Sequence, residues 1–522
     1  MSLKFRSYLI LSVIFCFHLG MNFYVLQKSQ IAHAYDESGR IATGYNLFKA
    51  MGRIDVFIDK LLELDWGQAH PRLYEAVEAV SWKIWQWVGK EDVILTILLT
   101  NAIFLFILLF SVYGIGRVLY DDTTALLAAF LTSIFPLVVG HSRIAMLDFP
   151  LMSMVSLGFF LLLKTRQFSS VAYSALCGVF FALAELIKET AIFFMAAPLV
   201  YYLFQSFRNS PCKHRVIVNS FVMLACFFPL VSMVYLRPEN FHAYAIYTIK
   251  TAIRSSKGLW HYWVEFPHLI GPVVAIFSVP FFVRYFIYWQ KRNLFVLCWW
   301  FVPFLLFSFS NNKTLRFVMP VAPAFALILA YELRSLKGQV YRGIMTALLV
   351  CLALAQYATY YFGFWPRRDL HLCERGVLAP QRDSQVPVAA ALTEVFRKEK
   401  GPFSGRPVGR VVALFNQGTI HDELGLQFTL KELPFYVVSP MAWDDAILAL
   451  ENKNAFPAAV LQYDFVLDMK KDDDERMSYP WHVNYLSQQW IVGFDLYRAR
   501  FVKIAQVPVD VHWRVDVYRR IK

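Results

Sequence analysis

Long apolar runs alternate with short polar breaks through the first 366 residues of the chain, and the pattern then stops. A helix needs roughly 20 apolar residues to cross a bilayer core of about 30 Å. About eleven runs qualify, near 8–26, 93–113, 123–140, 148–164, 171–187, 190–206, 216–236, 268–289, 293–310, 315–332 and 341–363. The shorter runs could be re-entrant. From residue 367 the pattern changes to short β-type segments at 411–415, 435–438 and 464–467, with helical patterns near 386–399 and 442–452. Two more extended runs, near 501–507 and 511–519, close the chain. Such alternation predicts a small α/β domain. The expected architecture is a polytopic α-helical membrane domain over 1–366, with a long first loop at 27–92, followed by a C-terminal extracytoplasmic α/β domain over 367–522.

Composition agrees with the hydropathy pattern. The 522 residues are 57% hydrophobic, 17% aromatic and 17% charged, with a mean hydropathy of +0.44. Soluble domains carry about 25% charged residues. The net charge of +13 would fit a nucleic-acid binder if it formed one patch. Here the basic residues lie mostly in short loops between apolar runs, which is a membrane-orientation pattern. With the N-terminus inside, fourteen Lys and Arg residues fall in inner segments: Lys4, Arg6, Arg117, Lys164, Arg166, Arg208, Lys213, Arg215, Arg284, Lys291, Arg292, Arg334, Lys337 and Arg342. Four, Arg143, Lys188, Lys313 and Arg316, fall in short outer loops. With eleven spans the C-terminus is outside.

Several other classes find no support. Of the seven cysteines only Cys373 lies in the polar tail, so no disulfide framework is available there. No Gly-rich phosphate loop, paired Cys/His spacing, internal repeat or low-complexity stretch appears. Lys4 and Arg6 precede an apolar run from about Tyr8 to Leu26, and Ala32-His33-Ala34 mimics a signal-peptidase site. The run exceeds the roughly 7–15 residues of a signal h-region, so a retained first helix is expected.

The residues with chemical potential gather on the outer face. Asp36-Glu37 follows the first run by about ten residues. A carboxylate there can cap a helix, act as a general base, or hold a divalent cation such as magnesium or manganese. Asp148 opens a run five residues after Arg143; it too can be a cap, and Arg143 can pair with it or hold an anion. His70, Arg72 and Tyr74 stand together late in the first loop. Lys188 lies between two runs, where a snorkelling role is the ordinary alternative. Lys313 and Arg316 sit on the side that the positive-inside rule disfavours, which a phosphate ligand would explain. Lys250, Arg254 and Lys257 lie among aromatic residues in the 237–267 loop, as in an interfacial helix. In the tail, Asn416-Gln-Gly-Thr-Ile-His421 follows a strand end, where α/β domains often bind ligands but ordinary turns also occur.

Taken together, these motifs resemble the GT-C membrane glycosyltransferases, in particular the protein O-mannosyltransferase and aminoarabinose-transferase branch. Asp36-Glu37 matches the acidic motif of the first outer loop. His70-Pro-Arg-Leu-Tyr74 resembles a His/Lys-Pro-Pro-Leu-Tyr segment, with Arg72 in place of the second Pro. Arg143 to Asp148 matches an Arg-x-x-x-x-Asp motif, Lys188 a lysine after the fifth span, and Arg316-Phe-Val-Met-Pro320 an Arg-Tyr/Phe-x-x-Pro element. The resemblance covers roughly residues 1–340.

The resemblance implies a sugar donor on a polyprenyl or dolichyl phosphate, and an acceptor hydroxyl on a protein, lipid or glycan. It implies inverting transfer with Asp36 as base, Glu37 or Asp148 orienting the site, and Lys188, Lys313, Arg316 and Arg143 meeting the donor phosphate. His70, Arg72 and Tyr74 would then contact substrate. A bacterial plasma membrane or an ER membrane would both suit such an enzyme. The main rival is a transporter or flippase for lipid-linked or envelope glycans, but transporters bury polar groups at mid-membrane and often repeat their halves. A polymerase or ligase using a lipid-diphosphate donor and a non-catalytic scaffold are the remaining alternatives.

Overall fold

The computed structural model describes residues 3–28, 36–64, 70–240, 258–287, 294–310, 313–361, 385–399, 409–413, 424, 426–438, 463–471, 495, 497–508 and 513–521. The chain divides into two compact units. One holds Met1–Lys28 and Asn46–Pro380; the other holds Ser29–Tyr45 and Gln381–Lys522. Several segments singled out in the sequence lie outside the described residues: Ala32-His33-Ala34, the Lys250–Lys257 stretch, Asn416–His421 and the helical pattern at 442–452.

The described residues of the first unit are largely helical, and residues 36–45, the start of a helix that runs on into this unit, group with the second. α1 (Leu3–Lys28) is followed by the helices of the first loop, α2 (Asp36–Ala50), α3 (Ile54–Leu62) and α4 (Leu73–Trp87). Then come α5 (Val93–Leu119), α6 (Asp122–Ile134), the short α7 (Pro136–His141), α8 (Asp148–Lys164), α9 (Val171–Glu185), α10 (Ala191–Asn209) and α11 (Lys213–Tyr235). They are followed by α12 (His261–Ile270), α13 (Pro272–Ile287) and α14 (Leu294–Ser308). A 3-10 segment (Leu315–Val321), α15 (Ala322–Arg334) and α16 (Gln339–Tyr361) complete the unit.

Local chemistry sets many of these boundaries. Asp92 caps α5 through Leu95 N–H at 2.9 Å, and Asp121 caps α6 through the N–H groups of Thr123 and Thr124. The apolar run at 123–140 is broken at Phe135 (φ −60°, ψ 132°), because the residue before a proline is pushed out of helical geometry and Pro136 then opens α7. Among the described residues, six helices are long and apolar enough to cross a membrane, and a seventh span results if α12 and α13 count together. α6, α9 and α14 are shorter apolar helices.

Small residues let the helices approach closely, as they do at membrane helix interfaces. A Cβ on Gly116 would stand 2.7 Å from the Ala125 Cα, and one on Gly178 would collide with the Met223 carbonyl. α12 and α13 meet at an angle of 110°. The bend sits at Gly271 (φ +89°), a left-handed position that glycine adopts without a Cβ clash. Such a bend frees backbone polar groups that a membrane interior cannot hydrate. Gln356 of α16 takes them up. Its Oε1 accepts from Val273 N–H at 3.1 Å and Val274 N–H at 3.4 Å, and its Nε2 donates to the Ile270 carbonyl at 3.1 Å.

The second unit is built on a five-stranded sheet in the order β2-β1-β3-β5-β4. β1 (Gly409–Ala413) runs parallel to β2 (Phe435–Val438) and β3 (Phe465–Lys471), while β5 (Trp513–Arg520) is antiparallel to β3 and β4 (Phe501–Pro508). α17 (Gln385–Arg397) places Val388, Leu392 and Phe396, each four residues apart, into the core formed with Phe428, Phe435 and Phe465.

Replacing Gln356 by Leu leaves two backbone N–H groups and one carbonyl at the bend without their partner. A loss of about 1–3 kcal/mol per unsatisfied buried group is expected, read as a lower melting temperature of the detergent-solubilised protein. An unchanged melting temperature would show that the bend is held by other means.

Candidate active site at the helix-bundle end

The site is assembled where the turn before α8, the turn between α9 and α10, and the 3-10 segment before α15 meet. α8 packs against α9 and the 3-10 segment, so the start of one helix lies beside the end of the next. Asp148 is the first residue of α8, where the helix dipole favours a negative charge. Its carboxylate is buried and accepts from Lys188 Nζ at 2.6 Å. Arg316 Nε stands 3.8 Å from the other oxygen. Lys188 and Arg316 both lie over the Phe317 ring, at 4.6 and 5.5 Å from its centroid. Two cations therefore surround one carboxylate, all three groups largely buried.

Lys313 is also buried and donates to the Gly258 carbonyl at 3.3 Å. Lys188 and Arg316, singled out in the sequence as phosphate candidates, both lie beside Asp148. Arg143 takes a different place. It is fully buried; its Nε donates to Asn22 Oδ1 at 2.8 Å and its Nη2 approaches Tyr357 OH at 3.4 Å, tying α1 to α16.

The 141–147 turn is itself buried, so its polar groups require partners within the protein. Asn22 Nδ2 donates to Ser142 Oγ at 3.0 Å. Asn101 of α5 donates to the Ile144 carbonyl at 2.9 Å and accepts from Tyr74 OH at 3.3 Å. Tyr74, at the start of α4, thereby acts through Asn101 on the turn that leads to Asp148.

The His70 motif reaches the same end of the bundle from the first loop. His70 Nδ1 and Glu189 Oε2 are 2.6 Å apart, both side chains buried. Leu73 N–H bonds to the Leu186 carbonyl at 3.3 Å and stitches the two turns together. Burial pushes the Glu189 carboxyl up, but the His70 contact and the charge of Lys188 hold it below the ordinary value of 4.5. Arg72 points elsewhere, to the Lys60 carbonyl at 2.9 Å and to Glu63 at 3.1 Å. Asp36 and Glu37 open α2, in the stretch that groups with the second unit, and Glu37 is buried.

Two residues of the site escaped sequence reasoning. Glu189, next to Lys188, was given no role, because nothing in the chain pairs it with a histidine 119 positions away. His141 is 1% exposed, and neither ring nitrogen has a hydrogen-bond partner. It ends α7, outside the span, among Asp148, Arg316 and Lys188. Its position seven residues before Asp148 was the available signal. Among the described residues no group of three or more His, Cys, Asp or Glu converges as a metal site.

The comparisons with known proteins bear on the whole chain. Residues 69–233 match the family described as dolichyl-phosphate-mannose-protein mannosyltransferase. That stretch contains His70, Asp148, Lys188 and Glu189, whereas Asp36 and Arg316 lie outside it. No curated protein matches the chain in sequence. ArnT from Cupriavidus metallidurans bound to undecaprenyl phosphate is similar in structure, with TM-score 0.63 and 14% identity over 99% of this chain and 98% of that one. The Archaeoglobus fulgidus oligosaccharyltransferase tethered with an acceptor peptide follows at TM-score 0.62 and 11% identity, over 98% of this chain and 74% of that one. Arabinofuranosyltransferase AftD from Mycobacteria gives TM-score 0.56 and 12% identity, over 100% of this chain and 42% of that one. The GT-C resemblance carried by the short motifs is therefore a resemblance of fold as well, in a helical membrane protein.

The histidine yields a stability test. Burial pushes the His141 pKa from 6.5 down to about 4, with Asp148 opposing and Arg316 and Lys188 adding to the shift. Between these values the unfolded chain binds a proton that the folded protein does not, so stability falls as pH drops from 6.5 toward 4. The loss amounts to roughly 3 kcal/mol across that window. His141→Phe is expected to flatten this part of the pH dependence in thermal melts. An unchanged slope would mean that other groups carry it.

Proposed function

We propose that the protein transfers a sugar from a polyprenyl or dolichyl phosphate to an acceptor hydroxyl at the outer, periplasmic or lumenal, face of its membrane. The observation that carries this reading is the buried trio of Lys188, Asp148 and Arg316, two cations about one carboxylate at one end of an apolar bundle. An arrangement with surplus positive charge, largely shielded from water, is suited to an anion that gains charge during reaction. Glycosyl transfer from a lipid phosphate makes such an anion. The acceptor oxygen bonds to the anomeric carbon, the bond from that carbon to the phosphate oxygen breaks, and its electron pair leaves with the phosphate. The acceptor proton passes to a carboxylate, and attack opposite the leaving group inverts the anomeric centre.

In this reading Asp36 is the base and Glu37 assists it. Asp148 holds Lys188 and Arg316 in place for the phosphate, with Lys313 and Arg143 as further cations of the same face. His70, fixed by Glu189, and Tyr74 line or support the substrate side, and Arg72 shapes the loop that carries them. An open apolar groove of about 580 Å³ runs between α10 and α14, lined by residues such as Phe193, Val200, Phe204, Cys298 and Leu306. Phe193, at one end, follows Glu189 by four residues. An isoprenoid tail is the apolar occupant that a lipid-phosphate donor would bring there, and the similar ArnT structure holds undecaprenyl phosphate.

The eleven apolar segments are read as eleven spans, with the C-terminal α/β domain outside the membrane and serving the acceptor. A bacterial plasma membrane is the favoured setting, with the ER membrane as its counterpart in a eukaryote. The Asp36-Glu37 pair is where a divalent cation would be sought.

Purified protein in nanodiscs would be offered a panel of polyprenyl-phosphate sugars together with extracted envelope material as acceptor. The wild type is expected to consume one donor. Lys188→Met is expected to slow turnover about 10²–10³-fold, and Asp36→Asn to abolish it in a folded protein. Full turnover by Asp36→Asn would remove that residue as base. If no lipid-monophosphate sugar were consumed by the wild type, the proposed reaction would fall and glycan transport would be tested in its place.

A further inference from the structure

His141 is a buried polar group that the fold itself leaves without a partner. A buried imidazole with both nitrogens unpaired is destabilising, because the hydrogen bonds it made to water are not replaced. Such groups persist where the site is used. α7 packs against α8, α12 and the 3-10 segment that carries Arg316. The ring therefore sits among Asp148, Lys188 and Arg316, whose charges it feels. Burial above all, opposed by Asp148 and reinforced by the charges of Arg316 and Lys188, disfavours its protonated form, so at neutral pH it presents one N–H donor and one lone pair. Asp148 already has Lys188 and Arg316, and His141 makes no hydrogen bond to it.

Building on the donor-phosphate reading of this cluster, we propose that His141 is a third ligand of the donor's phosphate, giving a neutral N–H to an oxygen that Lys188 and Arg316 meet as cations. Lys188 supplies a point charge and Arg316 a planar fork of donors, and a neutral ring N–H adds a further directional donor without adding charge. His141 thus orients the phosphate on the 141–147 turn, which Asn22, Asn101 and Tyr74 hold in place. The bound phosphate gives the ring the partner that the empty fold does not.

The test is binding of a polyprenyl monophosphate without sugar, undecaprenyl phosphate, to the full chain in nanodiscs, with apo melting curves alongside. His141→Phe keeps the ring shape but removes both nitrogens. It is expected to weaken binding about 10- to 100-fold, the value of a hydrogen bond to a charged group. Its apo melting temperature at pH 7 should be no lower than that of the wild type, since no internal hydrogen bond is lost. His141→Asn or His141→Gln, which restore an N–H near one or other ring nitrogen, should recover part of the affinity. If His141→Phe binds as the wild type while Lys188→Met does not, the histidine is no phosphate ligand but the phosphate site stands. If both variants bind as the wild type, the phosphate site itself is wrong. If His141→Phe melts well below the wild type and neither amide recovers binding, the histidine is structural and the proposal is overturned.

Discussion

A carboxylate buried at the end of a membrane bundle has to be neutralised by its neighbours, and Asp148 organises the site for that reason. Removing a charge from water costs several kcal/mol even after relaxation. Lys188 at 2.6 Å and Arg316 at 3.8 Å meet that demand. Each comes from a different part of the chain, so the ion cluster pins the α9–α10 turn and the 3-10 segment onto the start of α8. Removing one partner would leave an uncompensated charge, which makes the arrangement sensitive to each of its members.

The turn before Asp148 meets the same constraint for the backbone. Buried loops are uncommon because their N–H and C=O groups need partners. Here α1 and α5 provide side chains for the purpose, through Asn22 and Asn101. Arg143, fully buried, is used in the same scaffolding with Asn22 and Tyr357. The bend at Gly271 is a second instance, with Gln356 reaching across from α16. In both places a polar side chain on a straight helix satisfies an irregular stretch beside it, as a membrane interior requires. At the 141–147 turn irregular backbone leads directly into the buried charge of Asp148, while small-residue contacts at Gly116 and Gly178 let apolar helices pack closely elsewhere.

Much of this was legible in the sequence. Hydropathy is a local property, and every apolar segment read from the chain is helical over most of its length. Asp92, Asp121 and Pro136 set boundaries through interactions with residues a few positions away, so they too could be read directly. The α12–α13 bend was not legible, since Gly271-Pro272 breaks a helix without saying at what angle it resumes. The five-stranded sheet shows the same division: its strands were visible as β-type runs, but their order, with β5 between β3 and β4, depends on pairing across long separations.

The site divides along the same line. Sequence alone singled out Asp148, Lys188, Lys313 and Arg316 as charged residues bordering apolar runs, because hydropathy and charge are local properties. It also singled out His70 and Tyr74 by their motif. Only the tertiary structure decided that Lys188 would meet Asp148, that Glu189 would meet His70, and that Arg143 would turn to α1 and α16. It alone placed His141 within the field of that cluster. These partners stand from 40 to 214 residues apart. Such pairings follow from how helices pack and where buried charge can be neutralised, and neither quantity is encoded in any one stretch of chain.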